Sequence, residues 1–431
     1  MTLLKQIRNS EQTVDSELHD FQSLKEFYLK MNNEKAFEIK SVSINDLTDW
    51  KFDEKNNFVH NSGRFFSIKK VNFSGEESGI LLQNEIGTLG LVSCIVNDIL
   101  YFLIQFKKEP GNIVSAQLSP TLQATLSNQN QVHGGRLPRF IESFTDIKKD
   151  SFLTNEPLPE QGYRYWRKFN LNSIVLDEYF KESNEFKWMT LGQIYKFSEI
   201  DNSINSCLRS VLSLISNLES KKIKKDTKII INKYKQKFQN KSSLEDSVDK
   251  FLNSDKNELF FETSLDKFHI KGISINIEER EVKNWNQPIV YDPYLEEYMQ
   301  LIIKNEDNIF MVLKAHSEPG YEFGFTFGPT SIVKGKKEKI ESNNLIKKFS
   351  QYGNVQLIKK IQMSEEGARF YHTSVDHTFY EIQTTIKKFE LEDFEIFSLK
   401  DVNDINKEGL LSMEGRSVLF FLNTIYNNKN K

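Results

Sequence analysis

The feature that most constrains this chain is that it is written twice. Glu109-Pro110-Gly111 recurs as Glu318-Pro319-Gly320, and Pro120-Thr121 recurs as Pro329-Thr330, in both cases 209 residues later. Phe66-Ser67-Ile68-Lys69 matches Phe268-His269-Ile270-Lys271 at a spacing of 202, and Glu160-Gln161-Gly162-Tyr163-Arg164 matches Glu365-Glu366-Gly367-Ala368-Arg369 at 205. Arg209-Ser210-Val211-Leu212 returns letter for letter as Arg416-Ser417-Val418-Leu419, 207 residues on. Matches in one order with so little drift read as a tandem repeat of a unit of about 200 residues, an ordinary domain size. The expected units are 1–220 and 221–431, joined near Glu219 to Thr227, whose Lys221-Lys222-Ile223-Lys224-Lys225 run reads as a solvated linker or helix end.

Local patterns predict an α+β unit. Ile99 to Phe106 is a short apolar, aromatic-rich run of the kind that forms a buried strand. Glu109-Pro110-Gly111-Asn112 follows it with turn chemistry: proline presets φ, and glycine tolerates positive φ. From Asn202 to Ser220 the apolar residues Ile204, Leu208, Val211, Ile215 and Leu218 recur at helical steps, with Asp201 or Asn202 available as a cap. Phe397 to Tyr426 gives the second unit a similar end. Each unit is expected to be several strands closed by a helix.

Composition excludes several classes. With 57 Lys and Arg against 60 Asp and Glu, the chain lacks the basic surplus of a general nucleic-acid binder. Its 38% hydrophobic and 12% aromatic residues suit packed cores, not disorder. Cys94 and Cys207 are far apart and support neither a disulfide framework nor a cysteine-rich metal site. No stretch reaches the roughly 18 consecutive apolar residues of a membrane span, and the polar start from Met1 to Glu17 has no signal-peptide core. A cytoplasmic protein is the expectation.

One segment is far more specific than these patterns. It runs from Gln105, Lys107, Glu109 and Asn112 through Gln117, Ser119, Thr121, Gln123, Thr125 and Asn128 to His133-Gly134-Gly135. Around it stand Trp50, the stretch His60-Asn61-Ser62-Gly63-Arg64-Phe65-Phe66, and Gln83-Asn84-Glu85-Ile86-Gly87. The second unit adds Arg280-Glu281-Val282, Trp285-Asn286-Gln287-Pro288 and the stretch from Ser364 through Glu366 and Arg369 to His372. Together these closely resemble the sugar-nucleotide 2,3-dehydratases of deoxysugar biosynthesis, from about residue 20 to about 425. The resemblance implies two tandem Nudix-like α/β/α sandwich domains born of gene duplication, acting as a homodimer. It implies a dTDP-linked 4-keto-6-deoxyhexose as substrate, loss of the C-2 hydroxyl, a 3,4-diketo product, and a ketoreductase downstream. The chain departs from the family pattern after Asn128, where Gln129-Asn130-Gln131-Val132 stands. The units also differ from each other: Glu76, Ser78 and Gly79 oppose Trp285, Gln287 and Pro288, and Gly328 replaces Ser119.

The chemistry needs a base, an acid and donors aimed at a developing oxyanion, but no redox cofactor and no metal. Lys107, Glu109 and His133 are the candidate catalytic residues. Glu109 could equally brace the Pro-Gly turn, His133 could bond backbone, and Lys107 could be an exposed strand lysine. Gln117, Ser119 and Thr121 share one strand face at period two, and Gln123 and Thr125 continue it, so they are expected to line a sugar pocket. His60, Arg64, Gln105, Asn112, Asn128, Arg136 and Arg164 complete the expected substrate site, the arginines as diphosphate ligands. Trp285, Gln287, Glu318, Glu366 and Arg369 are assigned to a second, degenerate pocket, and Trp50 and Trp285 to either base stacking or core. A non-catalytic nucleotide-sugar binder remains an alternative. A Nudix-type hydrolase is disfavoured because Gly272 and Glu278 lack the acidic cluster that should follow them.

Overall fold

The computed structural model describes residues 2–34, 38–129, 137–146, 149–217, 223–238, 242–245, 252–253, 258–262, 267–276, 284–292, 296–306, 308–334, 336–385 and 390–427. It is a mixed α and β protein in which one sheet topology occurs twice. In the first unit the strands lie in the order Phe152–Pro159, Phe169–Leu176, Gly87–Val96, Ile99–Lys108, Phe186–Met189. Leu122–Ala124 pairs with Gly87–Val96, and Ala116–Ser119 with Ile99–Lys108. In the second unit the order is Val355–Ser364, Ser374–Gln383, Glu296–Asn305, Asn308–His316, Phe394–Ser398, with Ser331–Val333 and Thr326–Gly328 attached at the matching places. The parallel pair falls between the same two strands in each. The apolar run beginning at Ile99 is the predicted strand, extended to Lys108, and Leu100 to Ile104 are fully buried because the strand is covered on both faces.

The closing helices are shorter than their periodicity suggests. The first spans Ser206–Leu212, capped by Asn205, because Ile204 is taken up by a bridge to Leu118 of the sheet. Leu411 makes the same bridge to Phe327, so the second unit ends in two helices, Leu399–Lys407 and Met413–Asn427, instead of one. The end of the expected junction, from Lys225 to Thr227, begins a helix, Lys225–Lys237.

What the repeats share is mainly the seam between the units. Arg209 donates to Ser417 Oγ (3.1 Å) and Arg416 donates to Ser210 Oγ (2.7 Å), so the repeated Arg-Ser pair forms a reciprocal clasp. Each guanidinium also reaches a backbone carbonyl of the other unit, Ser364 from Arg209 and Pro159 from Arg416. The units also exchange strands: Glu38–Val42 pairs with Lys267–Asn276, while Ser242–Glu245 pairs with Ser67–Phe73. One hydrophobic cluster runs through both, joining Phe102, Leu118 and Val211 to Met311, Phe327 and Val418. Arg209→Met should therefore cost about 3 kcal/mol of stability, read as a lower urea midpoint, because it strands buried acceptors on both sides of the seam.

Candidate active site

A cavity of about 1060 Å³ is lined by residues of both units. Its floor begins at the end of the strand Ile99–Lys108, where Gln105 and Lys107 face it at period two. Glu109 follows at the turn, almost fully buried, with its carboxylate 2.8 Å from Lys107 Nζ. Gln123 arrives from the short strand Leu122–Ala124, and Glu366 and Arg369 from the second unit's turn.

The seam sets the position of Glu366. Gly111 N–H donates to Gly367 O (2.7 Å), and His372 N–H donates to Gly111 O (2.8 Å). A Cβ on Gly111 would fall 1.9 Å from Phe370 O. The glycine is needed for this close approach and not for positive φ, since its backbone stays in the ordinary region. Gly320 repeats the arrangement against Gly162 and Tyr165.

Gln123 joins the two carboxylates. Its Nε2 donates to Glu366 Oε1 (2.6 Å) and lies 3.3 Å from Glu109 Oε1. Burial, and next the charge of Glu109, push the Glu366 carboxyl up to about 7, while Arg369 and Lys107 pull it partly back. A carboxyl raised this far keeps its proton for a large share of the time near neutrality, so it can give or take one there. Lys168, also in the cavity wall, is pushed down to about 8 by burial against the pull of Glu160 and Glu85. Asn170 bonds Glu160 (2.6 Å), and Lys168 donates to the Glu85 carbonyl.

Aromatic rings line another part of the wall. Trp50 stacks on Phe58 and is nearly buried, as a core tryptophan would be. His60 packs on Phe65 (4.7 Å between ring centroids), and the Arg369 guanidinium lies over Phe66. Trp285 is half-buried and donates to Gln287 Oε1 (3.0 Å).

Of the residues singled out in sequence, the cavity brings together His60, Gln105, Lys107, Glu109, Gln123, Thr125 and Asn128. Trp285, Gln287, Glu366 and Arg369, expected in a separate second pocket, line this same cavity. Others lie elsewhere. Thr121 Oγ1 accepts from Val92 N–H and donates to Leu103 O; Thr330 repeats both bonds, so this residue holds the sheet. Gln117 is buried at the seam on Asn202 O and Ser364 Oγ, and Ser119 is buried against Asn205. Asn112 braces its own loop through Lys107 O. Arg164 is buried in ion pairs with Asp292 (2.6 Å) and Glu296 (3.7 Å), Glu318 is buried outside the cavity wall, and Arg64 is exposed. Tyr321, which follows Glu318-Pro319-Gly320, packs its ring against Gly162. His133, Arg136 and Arg280 to Val282 lie outside the described residues. Sequence reading missed Lys168, Glu160 and Asn170. The available signal was the polar alternation of Lys168 and Asn170 entering an apolar strand.

Two buried carboxyl groups joined by Gln123, one of them raised toward neutrality and both flanked by Lys107 and Arg369 in a large aromatic-rimmed cavity, suit acid–base chemistry on a sizeable polar substrate. The family model described as NDP-hexose 2,3-dehydratase matches residues 21–215 and again 233–422. The chain belongs to the NDP-hexose 2,3-dehydratase family. It is 25% identical to the dTDP-4-dehydro-6-deoxy-alpha-D-glucopyranose 2,3-dehydratase of Saccharopolyspora spinosa, over 91% of this chain and 89% of that one. The enzyme of the same name from Streptomyces violaceoruber is 26% identical over 78% of this chain and 82% of its own. The one from Amycolatopsis orientalis is 35% identical over 42% of this chain and 41% of its own.

Proposed function

We propose that this enzyme dehydrates dTDP-4-keto-6-deoxyglucose, with the Glu109–Glu366 pair moving the protons. The observation that carries the assignment is the Gln123 amide, which holds two buried carboxyl groups within one nitrogen's reach. The C-4 ketone of such a sugar acidifies the C-3 proton. The ionised member of the pair removes that proton, and the electron pair enters the C-3–C-4 bond as an enolate. Lys107, beside Glu109, supplies positive charge to the growing oxyanion. Hydroxide then leaves C-2 and takes the proton of the neutral carboxyl, departing as water. The enol left at C-3 tautomerises, with protonation at C-2, to a 3,4-diketo sugar.

Arg369 is the diphosphate ligand in this reading, because its guanidinium is in the cavity wall and forks toward paired oxygens. Trp285 offers a ring face to the base. Arg369→Lys should raise KM about tenfold with little change in kcat, since it removes binding shared by ground and transition states.

The test is mass spectrometry of enzyme incubated with the dTDP sugar and a trapping agent for 1,2-diketones. Loss of one water with a trapped 3,4-diketo product is the expected result. Binding of the dTDP, UDP and GDP sugars without any mass change would overturn the reading. The same proposal extends to two Nudix-like domains, 1–220 and 221–431, descended from one duplicated gene. It also extends to a cytoplasmic homodimer whose reactive diketone passes to a ketoreductase. The repeated sheet topology supports the first of these.

A further inference from the structure

We infer that Asn205, which lies outside the cavity wall, is a positioning residue that sets the direction of the Gln123 amide between Glu109 and Glu366. The inference rests on the proposed role of that carboxylate pair. Asn205 caps the helix Ser206–Leu212: its Oδ1 accepts the Leu208 N–H at 2.9 Å. With the oxygen committed to the cap, Nδ2 faces the other way, donating to Ser119 Oγ and to Gln123 Oε1 (3.4 Å). The Gln123 oxygen is thereby engaged, and its NH₂ is left to face Glu366 (2.6 Å) and Glu109 (3.3 Å). An amide is nearly the same shape when flipped, so without this constraint its oxygen could turn toward two carboxylates and repel them.

The second unit supplies an internal control. The positions of Asn205, Ser119 and Gln123 are there occupied by Ser412, Gly328 and Ile332. Ser412 still caps, accepting the Gly415 N–H at 3.1 Å. Capping therefore needs only a side-chain oxygen. The amide nitrogen of Asn205 is surplus to it, and it occurs only in the unit whose neighbouring strand carries the carboxylate clamp.

The test is Asn205→Ser, which installs the capping residue the second unit already uses. Thermal stability should stay within a few degrees of wild type. kcat should fall about tenfold to a hundredfold with KM nearly unchanged, as a donor to a charged group loses its orientation. The pH limb belonging to the carboxylate pair should move up, because the fixed donation that favours the charged form is lost. Glu109, Lys107, Glu160, Arg369, Tyr165 and Cys207 also surround Glu366 and remain in place. In a Gln123→Leu background the same substitution should have no further effect. An unmoved pH limb, or an equal loss of kcat in the Gln123→Leu background, would overturn the inference. Carbon-13 titration of the Glu366 carboxyl in wild type and Asn205→Ser measures the same shift without turnover. Failure of the proposed reaction would appear in the wild type, and failure of this inference in the unshifted variant.

Discussion

Glu366→Gln should fold normally and lose kcat by roughly 10³-fold, within the range for removal of an acid–base group. Glutamine keeps the side-chain oxygen that accepts from Gln123, so the local geometry survives while the proton does not. The loss should appear in kcat and kcat/KM together, because proton transfer belongs to the transition state. A variant retaining more than about a tenth of wild-type kcat would remove Glu366 from the chemistry. Stability supplies an independent check. The folded-state carboxyl lies near 7, above the usual carboxylate range, through burial and then Glu109. Between that range and about pH 7 the native protein keeps a proton that the unfolded chain has released. The stability linked to this group is therefore full at low pH and falls as pH rises to about 7. Glu366→Gln should remove that slope and leave the variant more stable than wild type above pH 7. Urea midpoints of both proteins at pH 5 and pH 8 read this directly.

Gly111→Ala should destabilise the protein by about 3 kcal/mol or more, as forced overpacking of a close backbone contact does. The new Cβ would sit 1.9 Å from a backbone oxygen of Phe370, which cannot rotate aside. Gly320→Ala meets Tyr165 O at 1.8 Å and should show a comparable fall in urea midpoint. Their activities should differ. The turn displaced by Gly111→Ala carries Glu366 and Arg369, so at a temperature where both variants are folded it should lose the greater share of kcat. Equal residual activities would mean that the seam does not tune the carboxylate pair.

Both predictions depend on relations that sequence showed only in part. The repeat was legible because close backbone approach tolerates only glycine at Gly111 and Gly320. It was also legible because the buried guanidinium clasp needs both Arg209 and Arg416 with their serines. Period two carried Gln123 and Thr125 to the cavity. The same rule failed for Gln117, Ser119 and Thr121. Alternation gives a shared face but does not say whether that face meets ligand, seam or sheet. Thr121 could have been recognised as scaffold from its repetition as Thr330, and Glu366 as distinctive from its replacement by Gln161 in the other unit.

The sequence by itself determined the two-unit construction and the buried strand beginning at Ile99, and the family resemblance pointed to part of the polar cavity wall, from His60 and Lys107 to Glu366 and Arg369. The first two follow from residue types repeated at fixed spacings and from a local apolar run. Only the tertiary structure decided that the expected second-pocket residues Trp285, Gln287, Glu366 and Arg369 share one cavity with Lys107 and Glu109. Two repeats can sit side by side with separate sites or pack across a common seam with one. That choice is made by long-range contacts, here the reciprocal glycine turns and exchanged strands, whose partners lie some 200 residues apart and leave no local pattern.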